Sequence, residues 1–192
     1  MPTGNTKTQI LDVAQDLIQR LGVNGMSYKD IAEAVGIRKA SVHTHFPKKD
    51  DLLAALLDRY NERMCRAVHK IVTSNERPEV KLRQYCQLYE ATLSCGEQDK
   101  VCLYAMVGAE LATLNHPLAA RVRSFYRENE THLSTILEEG QQNGDFRFSG
   151  STDDLAELVF SLLEGGMLIA RADGGSEKLH RVVEQLITLV KR

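Results

Sequence analysis

The chain has 192 residues, 43% apolar and 26% charged with a net charge of −2, a globular composition that excludes a disordered, collagen-like or large multidomain protein. No apolar run approaches the ~20 residues of a membrane-spanning helix, and Met1 to Lys7 lead into an amphipathic stretch rather than a signal-peptide core, so a cytoplasmic protein is expected. Cys65, Cys86, Cys95 and Cys102 lack the paired spacing of a zinc site and are expected as free thiols in a reducing compartment.

Ile10, Leu11, Ala14, Leu17, Ile18 and Leu21 recur at three- and four-residue steps, which predicts a helix over 6–21 stopped by Gly22. Ser27, three residues before Asp30, reads as a variant capping box opening a short helix over 28–35 that ends at Gly36. The turn Val35-Gly36-Ile37-Arg38 leads to a third short helix over 39–46, with Pro47 just beyond it, and a long helix follows over 49–72. Pro78 opens a helix to about Leu93, residues 101–114 form another, and Pro117 opens a long one that leaves at Gly140 to Gly144. Thr152 or Asp153 caps the next, to Arg171, and Gly174-Gly175 separate it from a last helix to Val190. Asp145-Phe146-Arg147-Phe148 reads as extended but without a partner strand. The expected fold class is all-α, with about nine helices.

Charge is unevenly spread. Residues 1–50 carry a balance of +2 and the rest −4, and no acid lies between Glu33 and Asp50, a gap that holds Arg38, Lys39, Lys48 and Lys49 with His43 and His45. A basic island on a mildly acidic chain is the electrostatic footprint of a local nucleic-acid contact, although solvated basic faces are also common. Two short helices joined through a glycine turn match the DNA-binding helix-turn-helix, whose second helix enters the major groove. Ala32 is small where the helices must approach, Gly36 supplies a turn that a side chain would oppose, and Ile37, Val42 and Phe46 fix the third helix on the first two. Lys39, Ala40, Ser41, His43 and Thr44 are left outward, short groups of the size that reaches base edges.

The runs Ile10-Leu11-Asp12-Val13-Ala14, Asp30-Ile31-Ala32-Glu33-Ala34-Val35-Gly36-Ile37 and Phe46-Pro47-Lys48-Lys49-Asp50-Asp51-Leu52-Leu53 resemble, in register, the TetR family of transcriptional repressors. The resemblance implies an all-helical homodimer with a DNA-binding domain, here 1–50, and a larger ligand-binding and dimerisation domain, here 51–192. It implies base or nearby backbone contacts for Lys39, Ala40, Ser41, His43 and Thr44. It implies phosphate contacts for Ser27, Lys29, His45 and Lys49, with Lys29 also in reach of a base. His43 stands where the family usually has the longer Tyr, and an imidazole there makes binding pH-sensitive.

One recognition helix covers a half-site, so two of them roughly 34 Å apart read a palindromic operator in double-stranded DNA. Leu155, Leu158, Val159, Leu162, Leu163 and Met167, with Gly165-Gly166, and then Leu179, Val182, Val183, Leu186, Ile187 and Val190 give apolar faces to the last two helices. By pattern these serve equally as intramolecular core; the family's habit points to dimer pairing. Val101 to Glu110 looks like the Cys-Leu…Glu pattern of the subgroup with the N-ethylmaleimide-responsive repressor, except that Val101 replaces its Gly. That likeness implies Cys102 as a sensor of electrophiles or oxidants at a helix N-terminus beside Lys100, with Cys95 as resolving thiol. Against it stand Cys102 as a small buried hydrophobe and a reversible apolar inducer in a pocket lined by Met64, Tyr104, Met106, Phe125 and Phe160.

Other classes find little support. The acid pairs Asp50-Asp51, Glu138-Glu139 and Asp153-Asp154 point about 100° apart on helices. No P-loop, dinucleotide fingerprint or nucleophile elbow occurs, so no enzyme is expected. His69, His116, His132 and His180 are scattered without ligand spacing, and no metal or cofactor is expected. A helical adaptor that binds protein rather than DNA is the remaining alternative.

Overall fold

The computed structural model describes residues 5–94, 100–113 and 116–191. Among them the fold is all-helical: α1 (Thr6–Leu21), α2 (Tyr28–Val35), α3 (Lys39–His45), α4 (Lys49–Val72), α5 (Pro78–Ser94), α6 (Leu103–Ala109), a single 3-10 turn (Leu111–Thr113), α7 (His116–Gln142), α8 (Thr152–Ala172) and α9 (Gly175–Val190). No helix of the described residues is long and apolar enough to cross a membrane.

Local chemistry accounts for most boundaries. Asn5 caps α1 by accepting the Lys7 N–H at 3.1 Å. The capping box of α2 forms as expected, with the Asp30 carboxylate accepting the Ser27 N–H at 2.9 Å and the Ser27 hydroxyl at 2.7 Å. That hydroxyl holds the Asp30 carboxyl below its usual range. Gly36 closes α2 at φ +76°, a left-handed conformation that costs a residue with a Cβ about 1–2 kcal/mol. Its N–H and that of Ile37 both return to the Ala32 carbonyl at 3.0 Å.

Three boundaries differ from expectation. The helix anticipated over 101–114 is broken at Glu110, whose N–H takes the tighter bond to the Val107 carbonyl at 3.2 Å. The cap of α8 is Ser151, one residue earlier than expected, because its extended backbone lets the hydroxyl accept the Asp154 N–H at 3.0 Å. The extended stretch after α7 does find a partner: Phe146 bridges Lys191, and the Arg147 N–H donates to the Val190 carbonyl at 2.9 Å.

The chain divides into two compact units, Met1–Glu62 with Leu103–Arg123, and Arg63–Cys102 with Ser124–Arg192. These are drawn differently from the expected functional halves, since α6 and the first turns of α7 group with the N-terminal helices. In the first unit Ile10, Ala14, Ile18, Ile31, Val42, Leu52 and Leu56 are fully buried. Ile37, expected as an anchor, is only half-buried.

In the second unit α8 lies against α9 and α5. Val159, Leu163, Met167, Leu179, Val183, Leu186, Ile187 and Val190 form its core. Lys81 is buried yet paired, its ammonium donating to Glu139 at 2.7 Å and to the Val72 carbonyl at 3.1 Å. Gly140 is required by close approach: a Cβ there would lie 2.0 Å from the Phe146 ring.

Candidate nucleic-acid interface

The expected DNA-facing residues sit on α2, α3 and the start of α4, all in the first unit. Val42 and Phe46 anchor α3 through one buried side. The Tyr28 hydroxyl reinforces that anchor by donating to the Phe46 carbonyl at 2.9 Å. Burial, aided by the charges of Asp51 and Asp50, pushes the Tyr28 phenol up to about 12, so it remains a neutral donor.

The opposite side of α3 is open. Lys39, Ala40, His43, Thr44 and His45 are exposed, while Ser41 is half-buried. The His43 ring rests on Tyr28, with centroids 4.7 Å apart, which fixes the direction of the imidazole. The Thr44 hydroxyl donates to the Ala40 carbonyl at 3.0 Å. Lys29 lies 3.7 Å from Glu33 one turn on, both highly exposed, a geometry that costs little to break. Arg38 and Lys48, members of the basic island to which the resemblance gives no contact, are exposed as well.

Lys49 departs from expectation. Its ammonium donates to the Val23 carbonyl at 2.6 Å and the Met26 carbonyl at 2.9 Å, so two of its three N–H groups hold the loop between α1 and α2. Glu110 holds the same loop from its N–H side, accepting from Val23 at 2.9 Å and from Asn24 at 2.8 Å. The loop leads directly into Ser27 and α2. A clamp between residues 87 positions apart carries no local sequence signal, which is why Glu110 escapes a reading by spacing.

The comparisons with known proteins agree with this geometry. Residues 10–56 match the family model described as bacterial regulatory proteins, tetR family, and residues 78–186 match a tetracyclin repressor-like C-terminal domain. The chain belongs to the TetR family. A solved TetR-family regulator from Agrobacterium tumefaciens is 29% identical with a TM-score of 0.91, covering 97% of this chain and 98% of that one. The nucleoid occlusion factor SlmA of Shewanella sediminis is 26% identical over 85% of this chain and 82% of its own. The repressor NemR of Escherichia coli K12 is 22% identical over 97% and 94%.

In this TetR-family chain the five residues expected around a pocket are divided between the two units. Tyr104 and Met106 lie on α6 in the first unit, where the Tyr104 hydroxyl donates to the Leu57 carbonyl at 3.1 Å. Met64, Phe125 and Phe160 belong to the second unit, with the Phe125 and Phe160 rings 6.5 Å apart. Cys102 precedes α6 as expected but is buried, 1% exposed. Cys95 lies outside the described residues. The Cys86 thiol is pushed up to about 12 by burial, and that of Cys65 is raised by burial and by Glu128. Both are poor nucleophiles.

Proposed function

We propose that the protein is a homodimeric transcriptional repressor that binds a palindromic operator and leaves it when a small molecule binds its second unit. The observation that carries this reading is the open side of α3, where Lys39, Ala40, His43 and Thr44 are exposed on a helix anchored by its opposite side. Lys39 offers a cation to a guanine edge, and Ala40 and the Thr44 methyl suit thymine methyls. Ser41 and His43 complete the base-reading side. Ser27, Lys29, His45 and the remaining N–H of Lys49 hold phosphates, joined by Arg38 and Lys48. The DNA-binding function is assigned to residues 1–50 and the regulatory function to 51–192.

Pairing is assigned to an outward stripe on the last two helices. Leu158 and Ile169 on α8 are 60% and 59% exposed, and Leu189 on α9 is 76% exposed. Between the helices runs an apolar groove lined by Leu162, Gly165, Gly166, Ile169 and Val182. A second copy covers such a surface, and two recognition helices then meet successive major grooves.

Reversible ligand binding is favoured over modification of Cys102. The thiol is buried, out of reach of a reagent in solution.

Two lysine variants test the interface. Lys39→Ala is expected to relax base preference at one position of each half-site, a change of about 1–3 kcal/mol between matched and mismatched duplexes. Lys29→Ala is expected to weaken all duplexes alike and to lower the salt slope by about one. Fluorescence anisotropy across a salt series measures both. Equal weakening of every duplex by Lys39→Ala would remove it from the base-reading set.

A further inference from the structure

Glu164 on α8 carries chemistry that DNA binding does not use. The residue is half-buried, yet both carboxylate oxygens are sealed from solvent and neither has a hydrogen-bond partner among the described residues. Carboxylates are seldom sealed in this way unless paired. Burial pushes this one up to about 7, opposed only by the Cys102 S–H beside it, and no Lys, Arg or His among the described residues compensates its charge.

Its surroundings are aromatic. Tyr85, Tyr89 and Tyr126 all lie within the field of the carboxylate. Tyr89 and Tyr126 meet Phe160 with ring centroids 6.4 Å and 5.5 Å apart. The polar groups here satisfy one another: the Tyr85 hydroxyl donates to Asn129 Oδ1 at 2.8 Å, and Asn129 Nδ2 donates to the Phe125 carbonyl at 2.8 Å. The carboxylate is left out of that chain.

We propose that Glu164, with the rings of Tyr85, Tyr89, Tyr126 and Phe160, is a binding site for a protonated amine with an apolar body. The inference rests on the reading of the chain as a ligand-responsive regulator, and names the chemical class of its signal. An ammonium supplies N–H donors to two unpartnered oxygens and a charge to balance theirs, and tyrosine faces attract cations. A neutral apolar ligand leaves the oxygens unpaired, an anion is repelled, and a quaternary ammonium has no N–H to give. Sequence spacing hides the site, because its members come from α5, α7 and α8.

Calorimetric titration of the full-length protein, without DNA, tests this with phenylalkylamines of increasing chain length and the matching phenylalkyl alcohols. Near pH 8 the amines are expected to bind about tenfold or more tightly than the alcohols, and Glu164→Gln to abolish that preference. Amine affinity of the wild type is expected to fall as the pH is lowered through 7, where Glu164 takes up a proton, and to be flat in Glu164→Gln. Burial raises Tyr85, Tyr89 and Tyr126 above the ordinary phenol range, so those hydroxyls stay neutral throughout. Circular dichroism checks the fold of the variant, and Glu164→Asp, which keeps the charge, is expected to retain part of the preference. Equal binding of amines and alcohols, no saturable amine binding across the series, or unchanged amine affinity in Glu164→Gln would each overturn the proposal. Anisotropy of a labelled operator is read separately: amine binding through Glu164 by a protein that never binds DNA keeps this site and overturns the regulator reading instead.

Discussion

Replacing Leu158 and Ile169 together with glutamate is expected to give a folded monomer that binds operator DNA about 10²–10⁴-fold more weakly than the wild type. The two side chains are 60% and 59% exposed, so charge is added where the single chain buries little. They stand eleven residues apart, close to three helical turns, which puts them on one line along α8. Leu162 and Gly165 fall between them on that line, beside a groove of about 280 Å³. Two copies packed along it would bury four carboxylates in the variant, a cost that pairing cannot meet. With the dimer lost, each recognition helix must find its half-site alone and the gain from joint engagement disappears. Light scattering reads the mass and anisotropy reads the affinity. A variant that remains dimeric and binds as tightly as the wild type would place the pairing surface elsewhere.

The loop clamp has the second large effect. Lys49→Met is expected to cost about 2–4 kcal/mol of stability, because it removes two charge-assisted bonds to the Val23 and Met26 carbonyls. Glu110→Ala is expected to cost about 1–2 kcal/mol, with the part-buried Val23 N–H stranded and the exposed Asn24 N–H passing to water. Both variants act on one loop, so the double variant is expected to lose less than the sum. Thermal unfolding measures the stabilities. DNA affinity is expected to fall alike for every sequence, since the loop sets Ser27 and the start of α2 rather than a base contact. A Lys49→Met protein of wild-type stability with a reduced salt slope would return Lys49 to a purely phosphate-binding role.

Much of the fold was legible in the sequence because its signals are local. The stripe from Ile10 to Leu21, the Ser27–Asp30 box, Gly36 and Pro78 each act within a few residues of where they stand. The open side of α3 was legible for the same reason: once Val42 and Phe46 are buried, helical geometry fixes which neighbours face out. What escaped depends on distant partners. Lys49 reads as one more cation of the basic island until Val23 and Met26 are brought to it.

The apolar residues of α8 and α9 could not be divided by periodicity either. Val159, Leu163 and Met167 face the core while Leu158 faces out, and all four fit one broad apolar surface in sequence. Glu164 is the extreme case, an acid on a helix otherwise read as an apolar surface, whose meaning depends on rings from other helices.

The central claim, that α3 reads DNA as one of a symmetric pair, is tested most directly by selecting duplexes from a random pool with the full-length protein. Enrichment of an inverted repeat, with half-sites centred about one helical turn apart and roughly 34 Å between recognition helices, is the predicted result. Repeating the selection with Lys39→Ala is expected to blur one position in each half-site. A pool that emerges without enrichment, or with a single asymmetric site, would contradict the account.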